Sequence, residues 1–465
     1  METSMSRDQA IARITGYFEN GEFFDELARR VAIHTESQEP DQRPELYRYL
    51  TDEMTPSLEA LGFSCAVHEN PVAHGGPFMV ARRFENDALP TVMSYGHGDV
   101  VRGYDDQWYE GLNPWVLQKQ DSKWYGRGTA DNKGQHTINL AAIKAVLEER
   151  GQLGFNVVML IETGEEAGSP GLREFCAANK DLFAADVFIA SDGPRLAPER
   201  PTIFMGSRGV FNFDLVVDLR EGGHHSGNWG GLLANPGIIL THALASLTSS
   251  TGEILVPEWR PPSIPDSVRN AVSSLEIDGG ETAPEIDPAW GEPQLTPAEK
   301  VFAWNTFEVL AFKTGNPDNP VNAIPPRASA HCHIRYVVPS NRDEFEPGLR
   351  RHLDARGFDM VEIIPEPDPM AATRLDPDHP WAQWVVNSID ETSGKETAVL
   401  PNLGGSLPND VFSDVLGLPT IWVPHSYASC SQHAPNEHIL EEVSAEALRV
   451  MTGLFWDLGE PGTPA

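Results

Sequence analysis

The pattern of apolar and polar positions divides residues 1–204 into alternating strands and helices. Short runs of strand-forming residues predict strands at 64–67, 78–83, 90–95, 156–161 and 186–190. Apolar residues spaced three and four positions apart predict helices at 7–35, 45–61 and 134–150. The last three strand runs are mainly apolar, which is typical of strands buried between layers of helix. We therefore expect an α/β domain in this part of the chain.

The pattern changes near Met205. Residues 210–219 and 321–339 alternate apolar and polar side chains, which predicts half-exposed strands. The rest of this segment predicts helices at 237–249 and 343–356, a strand at 360–364, loop with short helices at 251–300, and a linker at 365–369. A helix (381–388), a strand (419–423) and a final helix (444–458) follow. We therefore place one domain in 1–204 and 369–465, with a smaller α+β domain inserted at 205–368.

Composition and charge narrow the function classes. The chain has 465 residues, 40% of them hydrophobic, which suits a large protein of two domains. Its formal net charge of −34 argues against binding nucleic acid or an anionic membrane surface, because both attract basic proteins. The N-terminal stretch has no continuous apolar segment and no run is long enough to span a bilayer, so we expect a cytoplasmic protein.

The cysteines do not indicate a metal site or a disulfide framework. The four are widely separated and none forms a Cys-x-x-Cys pair: Cys65, Cys176, Cys332 and Cys430. Metal chemistry would therefore depend on histidines and acids.

Acids and a histidine follow the predicted buried strands and one helix start. They are His97 and Asp99 after 90–95, Asp131 before 134–150, Glu165 and Glu166 after 156–161, and Asp192 after 186–190. Because the carboxyl ends of parallel strands meet at one edge of a sheet, we expect these side chains to converge. Histidine nitrogen and carboxylate oxygen are ligands of zinc and related ions, and a shared carboxylate can join two ions. His433 could supply a second histidine.

Taken singly, each of these residues has a plainer interpretation. A lone histidine at a strand end is more often structural than a metal ligand, and a Gly-Glu-Glu turn is usually solvated. The hypothesis rests on the joint order, in which each acid follows its own strand or precedes its own helix.

The same segments resemble the M20 metallopeptidases. The matching motifs occur in the family's order: GHGDVV, GRGTADNKGQ, ETGEEAGSPG, SDGP, HHSGNWGG, VNAIPP with IRYVVP, GGSLP and SQHAPNE. The carnosinase-type dipeptidases are the most similar branch in chain length and in the Gly-Arg-Gly before Asp131. The resemblance implies an α/β catalytic domain with a parallel-rich central sheet flanked by helices, plus an inserted α+β lid that mediates homodimerisation.

The resemblance also implies a ligand set for two divalent ions. His97 and Asp192 would bind one ion, Glu166 and His433 the other, and Asp131 would bridge them. Zinc is the expected metal, with manganese or cobalt as alternatives.

Two further acids receive roles from the resemblance. Asp99 would orient His97. Glu165 would be the general base that activates the water between the ions and later protonates the leaving amine.

Substrate-facing residues also follow from the resemblance. His225 matches a lid histidine that stabilises the oxyanion in the partner subunit's site, and Arg335 matches the arginine that holds the substrate carboxylate. Asn322, Gly405 and Ser406 lie in matching substrate-facing segments.

The expected activity is hydrolysis of an amide bond in dipeptides or short peptides with a free C-terminal carboxylate. An N-acyl-amino-acid deacylase or another C–N amide hydrolase is the alternative, because these enzymes use the same metal centre. A non-catalytic homologue is disfavoured since the base and every ligand are present. The chain departs from the family pattern at Gly98 and in the SYASCSQ loop before His433, and the second departure bears on specificity.

Overall fold

The strands predicted to be buried lie together in one eight-stranded sheet. The structure is a computed structural model that describes residues 6–277, 284–367 and 370–464. The strands are β1 (Ser64–His68), β2 (Phe78–Arg83), β3 (Thr91–His97), β4 (Gln118–Gln120), β5 (Lys123–Tyr125), β6 (Asn156–Glu162), β7 (Val187–Ala190), β8 (Pro194–Arg195), β9 (Thr202–Phe204), β10 (Gly209–Asp218), β11 (His224–His225), β12 (Thr306–Thr314), β13 (Ala323–Ile324), β14 (Arg327–Tyr336), β15 (Glu362–Pro365), β16 (Ala398–Leu400), β17 (Thr420–Trp422), β18 (Ser426–Tyr427) and β19 (His438–Leu440).

Helices lie between these strands along the chain. They are α1 (Arg7–Glu19), α2 (Glu22–Val31), α3 (Arg43–Arg48), α4 (Thr55–Ala60), α5 (Lys133–Arg150), α6 (Leu172–Ala178), α7 (Ser226–Trp229), α8 (Pro236–Ala245), α9 (Asp266–Val272), α10 (Pro297–Phe302), α11 (Phe345–Asp354), α12 (Pro380–Ser393) and α13 (Glu441–Leu458). Within the described ranges, none of these helices is long and apolar enough to cross a membrane.

The large sheet has a parallel centre. Its order is β1-β2-β6-β3-β7-β17-β9-β16, and β6, β3, β7 and β17 are parallel neighbours. Successive residues of β6 point to opposite faces, so that Val157 and Met159 join the core under α5 and α13, whereas Val158 and Leu160 join the core under α6. Apolar packing on both faces explains why these strands are mainly apolar, and it confirms the predicted α/β class with a parallel-rich sheet.

A second sheet lies within residues 209–365. Its four strands, in the order β12-β14-β10-β15, are all antiparallel. One face packs against α8 and α11 through residues such as Phe213, Leu240 and Leu349, in a core separate from those of the large sheet. The other face carries polar residues, including Asp214 and His331, whose side chains lie 2.7 Å apart. This division of faces explains the alternating pattern of the segment.

Several elements differ from the predictions. The segment predicted as a single helix at 7–35 forms two helices. Gly21, which lies between them, has a left-handed φ of 82°, and this conformation interrupts the helix. Strand β12 was not predicted. A bulge between Val309 and Ala311 interrupts its two-residue alternation, which removes the usual sequence signal of a strand. The predicted linker at 365–369 falls partly on residues 368–369, outside the described residues.

Candidate metal centre

Asp131 lies between two groups of potential metal ligands. His97 Nε2 is 2.8 Å from Asp131 Oδ1 and 3.6 Å from Asp192 Oδ2. His433 Nε2 is 2.9 Å from Asp131 Oδ2 and 3.0 Å from Glu166 Oε2. Within each group the ligand atoms lie within 4.8 Å of one another. The structure therefore brings together the five residues that the sequence suggested as ligands.

Strand order explains this convergence. The adjacent strands β6, β3 and β7 end beside one another, and each is followed by ligand residues. His97 is the last residue of β3, Glu166 lies in the helical turn Glu165–Ala167 after β6, and Asp192 follows β7 by two residues. Asp131 lies two residues before the start of α5, and His433 comes from the loop before β19. Most ligands thus lie at the carboxyl edge of the parallel sheet.

The donor set fits divalent metal ions. Burial raises the pKa of Glu166 to about 7 and that of Asp192 to about 6, and in both cases the charge of Asp131 adds to the rise. Asp192 Oδ2 is buried and has no hydrogen-bond partner among the described residues. Carboxylates crowded in this way are stabilised by cations between them, and imidazole nitrogen with carboxylate oxygen is a ligand set of zinc-like ions.

Asp99 supports the centre mainly through the loop after β6. Its carboxylate accepts hydrogen bonds from the backbone N–H groups of Glu165 and Glu166, at 3.2 and 3.1 Å. His97 Nδ1 is 3.1 Å from the backbone oxygen of Asp99 and 3.5 Å from its carboxylate. Asp99 therefore joins the end of β3 to the turn that carries two acids, in addition to orienting His97.

Glu165 lies among the charged groups of the centre. Burial raises the pKa of its carboxyl group well above the ordinary value; the charge of His97 opposes this rise, and the charge of Glu166 adds to it. A raised pKa makes a carboxylate a stronger base, which is the direction that a proton-accepting side chain requires.

Arg335 lies beside Ser406. Its Nη1 donates to Ser406 Oγ at 2.6 Å, and Ser406 Oγ donates to the backbone oxygen of Arg208 at 2.7 Å. The side chain of Leu403 would be 3.5 Å from a Cβ at Gly193, which is adjacent to Asp192. The segment that contains Gly405 and Ser406 therefore extends from the metal centre toward Arg335.

His225 and Asn322 lie together on the inserted sheet domain. His225 pairs with Ala323, and Ser226 N–H donates to the backbone oxygen of Asn322 at 2.9 Å. Both His225 and Asn322 are exposed. Among the described residues no hydrogen bond or ion pair joins either side chain to the metal ligands.

Sequence reasoning missed Glu437. Its carboxylate accepts hydrogen bonds from the backbone N–H groups of Gly128, Ala130 and Asp131 at 2.9–3.0 Å, and from Arg127 Nη1 at 2.8 Å. The loop that presents Asp131 is thus held by an acid 306 residues later. Glu437 is the last residue of the SQHAPNE motif, so a search for all acids in the motifs would have found it.

Gln432 was also missed, although it belongs to the same motif. Its Nε2 donates to Asp131 Oδ2 at 2.5 Å. Its neighbours Ser431 and His433 have left-handed φ values of 58° and 59°, and Asn436 follows with 66°. A glutamine has no distinctive metal or acid–base role, so no pattern in the sequence indicated this contact.

The model of peptidase family M20/M25/M40 matches residues 93–457. The chain belongs to this family. Members of the M20 family are hydrolases, and this one acts on peptide C–N bonds. The matched region contains every ligand candidate of the centre described above.

Individual M20 relatives agree with this assignment. The chain is 36% identical to a Beta-Ala-His dipeptidase of Mus musculus, over 83% of this chain and 80% of the relative. It is 28% identical to a Cysteinylglycine-S-conjugate dipeptidase of Corynebacterium striatum, over 82% of each chain. The crystal structure of human carnosine dipeptidase 1 superposes with a TM-score of 0.76 at 24% identity, covering 97% of this chain and 98% of that one, so the fold is shared.

Proposed function

We propose that this protein is a dipeptidase that uses two divalent metal ions and requires a free C-terminal carboxylate on its substrate. The observation that carries the proposal is that Asp131 belongs to both ligand groups while Glu165 lies beside them. The relatives reported above are named as dipeptidases, which supports dipeptides rather than N-acyl amino acids as the substrates.

Each ligand group would hold one ion. His97, Asp192 and Asp131 form the first site, and Asp131, Glu166 and His433 form the second. Zinc is the metal we expect, with manganese or cobalt as alternatives. Two ions bound there would supply Lewis acidity, which polarises an amide carbonyl and makes a water molecule more acidic.

Glu165 moves the proton in this proposal. Its carboxylate takes a proton from the attacking water and delivers it to the amine that leaves when the C–N bond breaks. Asp99 keeps this acid in place by binding the backbone N–H groups of Glu165 and Glu166.

The C-terminal half of the substrate would lie along Gly405 and Ser406. Arg335 can pair with the terminal carboxylate because a guanidinium offers two parallel N–H donors. Its bond to Ser406 fixes the direction in which these donors point.

We also propose that His225 and Asn322 act in the site of a second subunit. Among the described residues no hydrogen bond or ion pair joins their side chains to the ligands of their own chain, which supports an action across a homodimer. The inserted domain offers a surface for this contact, since the edge strand β12 exposes Val309, Leu310 and Phe312, and α8 exposes Ile238. Its boundaries at 204/205 and 368/369, and a location in the cytoplasm, stay predictions from the sequence.

Release of the C-terminal amino acid from paired substrates tests the activity. The enzyme is loaded with zinc, manganese or cobalt and given a dipeptide and the N-acetyl form of the same C-terminal amino acid. We expect cleavage of the dipeptide. Cleavage confined to the acetyl compound would make the protein a deacylase, and no cleavage of either with two ions bound would indicate another amide substrate.

A further inference from the structure

Two glycines flank His97, the ligand candidate at the end of β3. A Cβ atom at Gly96 would lie 2.7 Å from the Cβ of His136, and a Cβ atom at Gly98 would collide with the ring of Tyr49. Both rings are buried. The lack of side chains at the two glycines therefore makes room for a tyrosine–histidine pair beside the metal centre. The departure of this chain from the family pattern at Gly98 belongs to this arrangement.

A chain of buried hydrogen bonds leads away from this ring pair. The hydroxyl oxygen of Tyr49 lies 2.6 Å from His136 Nε2, and His136 Nδ1 lies 3.0 Å from Asn132 Oδ1. Asn132 Nδ2 in turn donates to the backbone oxygen of Ser191 at 2.8 Å. All four residues are buried, so water does not compete for these hydrogen bonds.

The last hydrogen bond of the chain joins two segments that carry ligand candidates. Asn132 follows Asp131 in the sequence, and Ser191 precedes Asp192. Both acids belong to the ligand group of His97, whose Nε2 is 2.8 Å from Asp131 Oδ1 and 3.6 Å from Asp192 Oδ2. A change in the orientation of the Asn132 amide would therefore alter the spacing of the two carboxylates.

Chemistry fixes the direction of each hydrogen bond in the chain. A backbone oxygen only accepts, so Asn132 turns its NH₂ group toward Ser191 and its oxygen toward His136. An amide oxygen also only accepts, so His136 carries its proton on Nδ1. Burial lowers the pKa of His136 well below the ordinary value, and cations bound in the centre would lower it further. The neutral ring accepts the Tyr49 hydroxyl proton at Nε2.

We propose that His136 is a positioning residue of the metal centre, whose Nδ1–H group holds the Asn132 amide and thereby sets the spacing of Asp131 and Asp192. The inference rests on the proposed two-ion function and adds a residue that touches neither the ions nor the substrate. Loss of the Nδ1–H donor leaves a buried amide oxygen unpaired, which favours a reoriented amide. The ligands of the first ion are then no longer held in place before the ion binds.

Two amide substitutions at this position test the role of the donor. Asparagine places its NH₂ group close to the position of Nδ1, whereas glutamine places its amide one carbon further out, close to Nε2. His136→Asn therefore keeps a donor for Asn132, and His136→Gln loses it but keeps a polar contact with Tyr49. Zinc affinity is measured on metal-free protein by competition with a chromophoric chelator. We expect His136→Gln to bind at least one of two ions about 10- to 100-fold more weakly, and His136→Asn to stay within about threefold of wild type.

His352→Gln is the matched control. His352 is also a buried histidine, but its Nε2 contacts the backbone oxygen of Ser246 in the inserted domain, at 2.8 Å. We expect this variant to keep the wild-type zinc affinity. Equal zinc affinities in the two His136 variants would overturn the inference, because the position of the donor would then not matter. Weaker binding in His136→Asn than in His136→Gln, or an equal loss in His352→Gln, would overturn it as well.

The wild-type titration separates this inference from the function on which it rests. If wild-type protein binds fewer than two zinc ions, the two-ion proposal fails, and the role of His136 fails with it. If wild-type protein binds two ions and the two His136 variants do not differ, the role of His136 fails alone.

Discussion

At the scale of single residues, the centre depends on two adjacent acids with different surroundings. Glu166 is 3.0 Å from His433 and belongs to a ligand group, whereas Glu165 belongs to neither group. Both backbone N–H groups bind the same carboxylate, that of Asp99, so the turn is fixed while the side chains diverge. The sequence predicted this pair of roles from the motif, but it did not predict that Asp99 holds both acids.

Glu165→Gln tests the role of the base. The amide keeps the size of the side chain but cannot accept a proton, so we expect kcat to fall by about 10²–10⁴-fold. Because Glu165 lies outside both ligand groups, metal content measured by elemental analysis should not change. The exposed Glu174→Gln on α6 is the control and should keep full activity. Normal turnover in Glu165→Gln would contradict the assignment.

At the scale of elements, long-range contacts between loops hold the centre together. Glu437 ties the loop before β19 to the loop before α5, and its partner Arg127 has a side chain only 1% exposed. Nε and Nη2 of Arg127 have no hydrogen-bond partner among the described residues, so the Glu437 carboxylate is the main group that compensates for burial of the guanidinium. Local patterns predicted α5 and β6 well. They contain no information about which loops, distant in the sequence, contact one another in the folded protein.

Glu437→Gln should therefore destabilise the protein strongly. It leaves a buried guanidinium without its counter-charge and turns an NH₂ group toward backbone donors, which costs about 3–5 kcal/mol. Urea unfolding of the metal-free protein measures the change. Glu441→Gln is the matched control, because it breaks an exposed pair with Lys119 and should cost less than about 1 kcal/mol. Similar values for the two variants would show that the Arg127 pair contributes little.

At the scale of the whole molecule, the predicted catalytic residues fall into two sets. His97, Asp131 and His433 converge at the edge of the large sheet, while His225 and Asn322 lie on the inserted domain without a described contact to them. A homodimer in which each lid serves the other subunit would unite the two sets.

Mixing two inactive variants tests this arrangement. His225→Ala removes the lid histidine and Glu165→Gln removes the base. In a heterodimer of the two variants, one of the two active sites therefore has both an intact base and an intact lid histidine. Random exchange should restore about a quarter of wild-type activity, because half of the dimers are mixed and each has one intact site. Subunit exchange is verified by mass spectrometry of differently tagged chains. Exchange without recovery would argue against action in the second subunit.

The sequence by itself determined the α/β class, most element positions and the candidate ligand residues. The elements follow from local patterns, because apolar runs specify buried strands. The candidate ligands come from acids and a histidine beside predicted strand ends and a helix start, together with the resemblance to the M20 family. Tertiary structure alone decided that Glu437 holds the loop of Asp131 and that Gln432 reaches the Asp131 carboxylate. Those contacts depend on strand order and on the approach of a loop some three hundred residues away, and periodicity along the chain does not encode either.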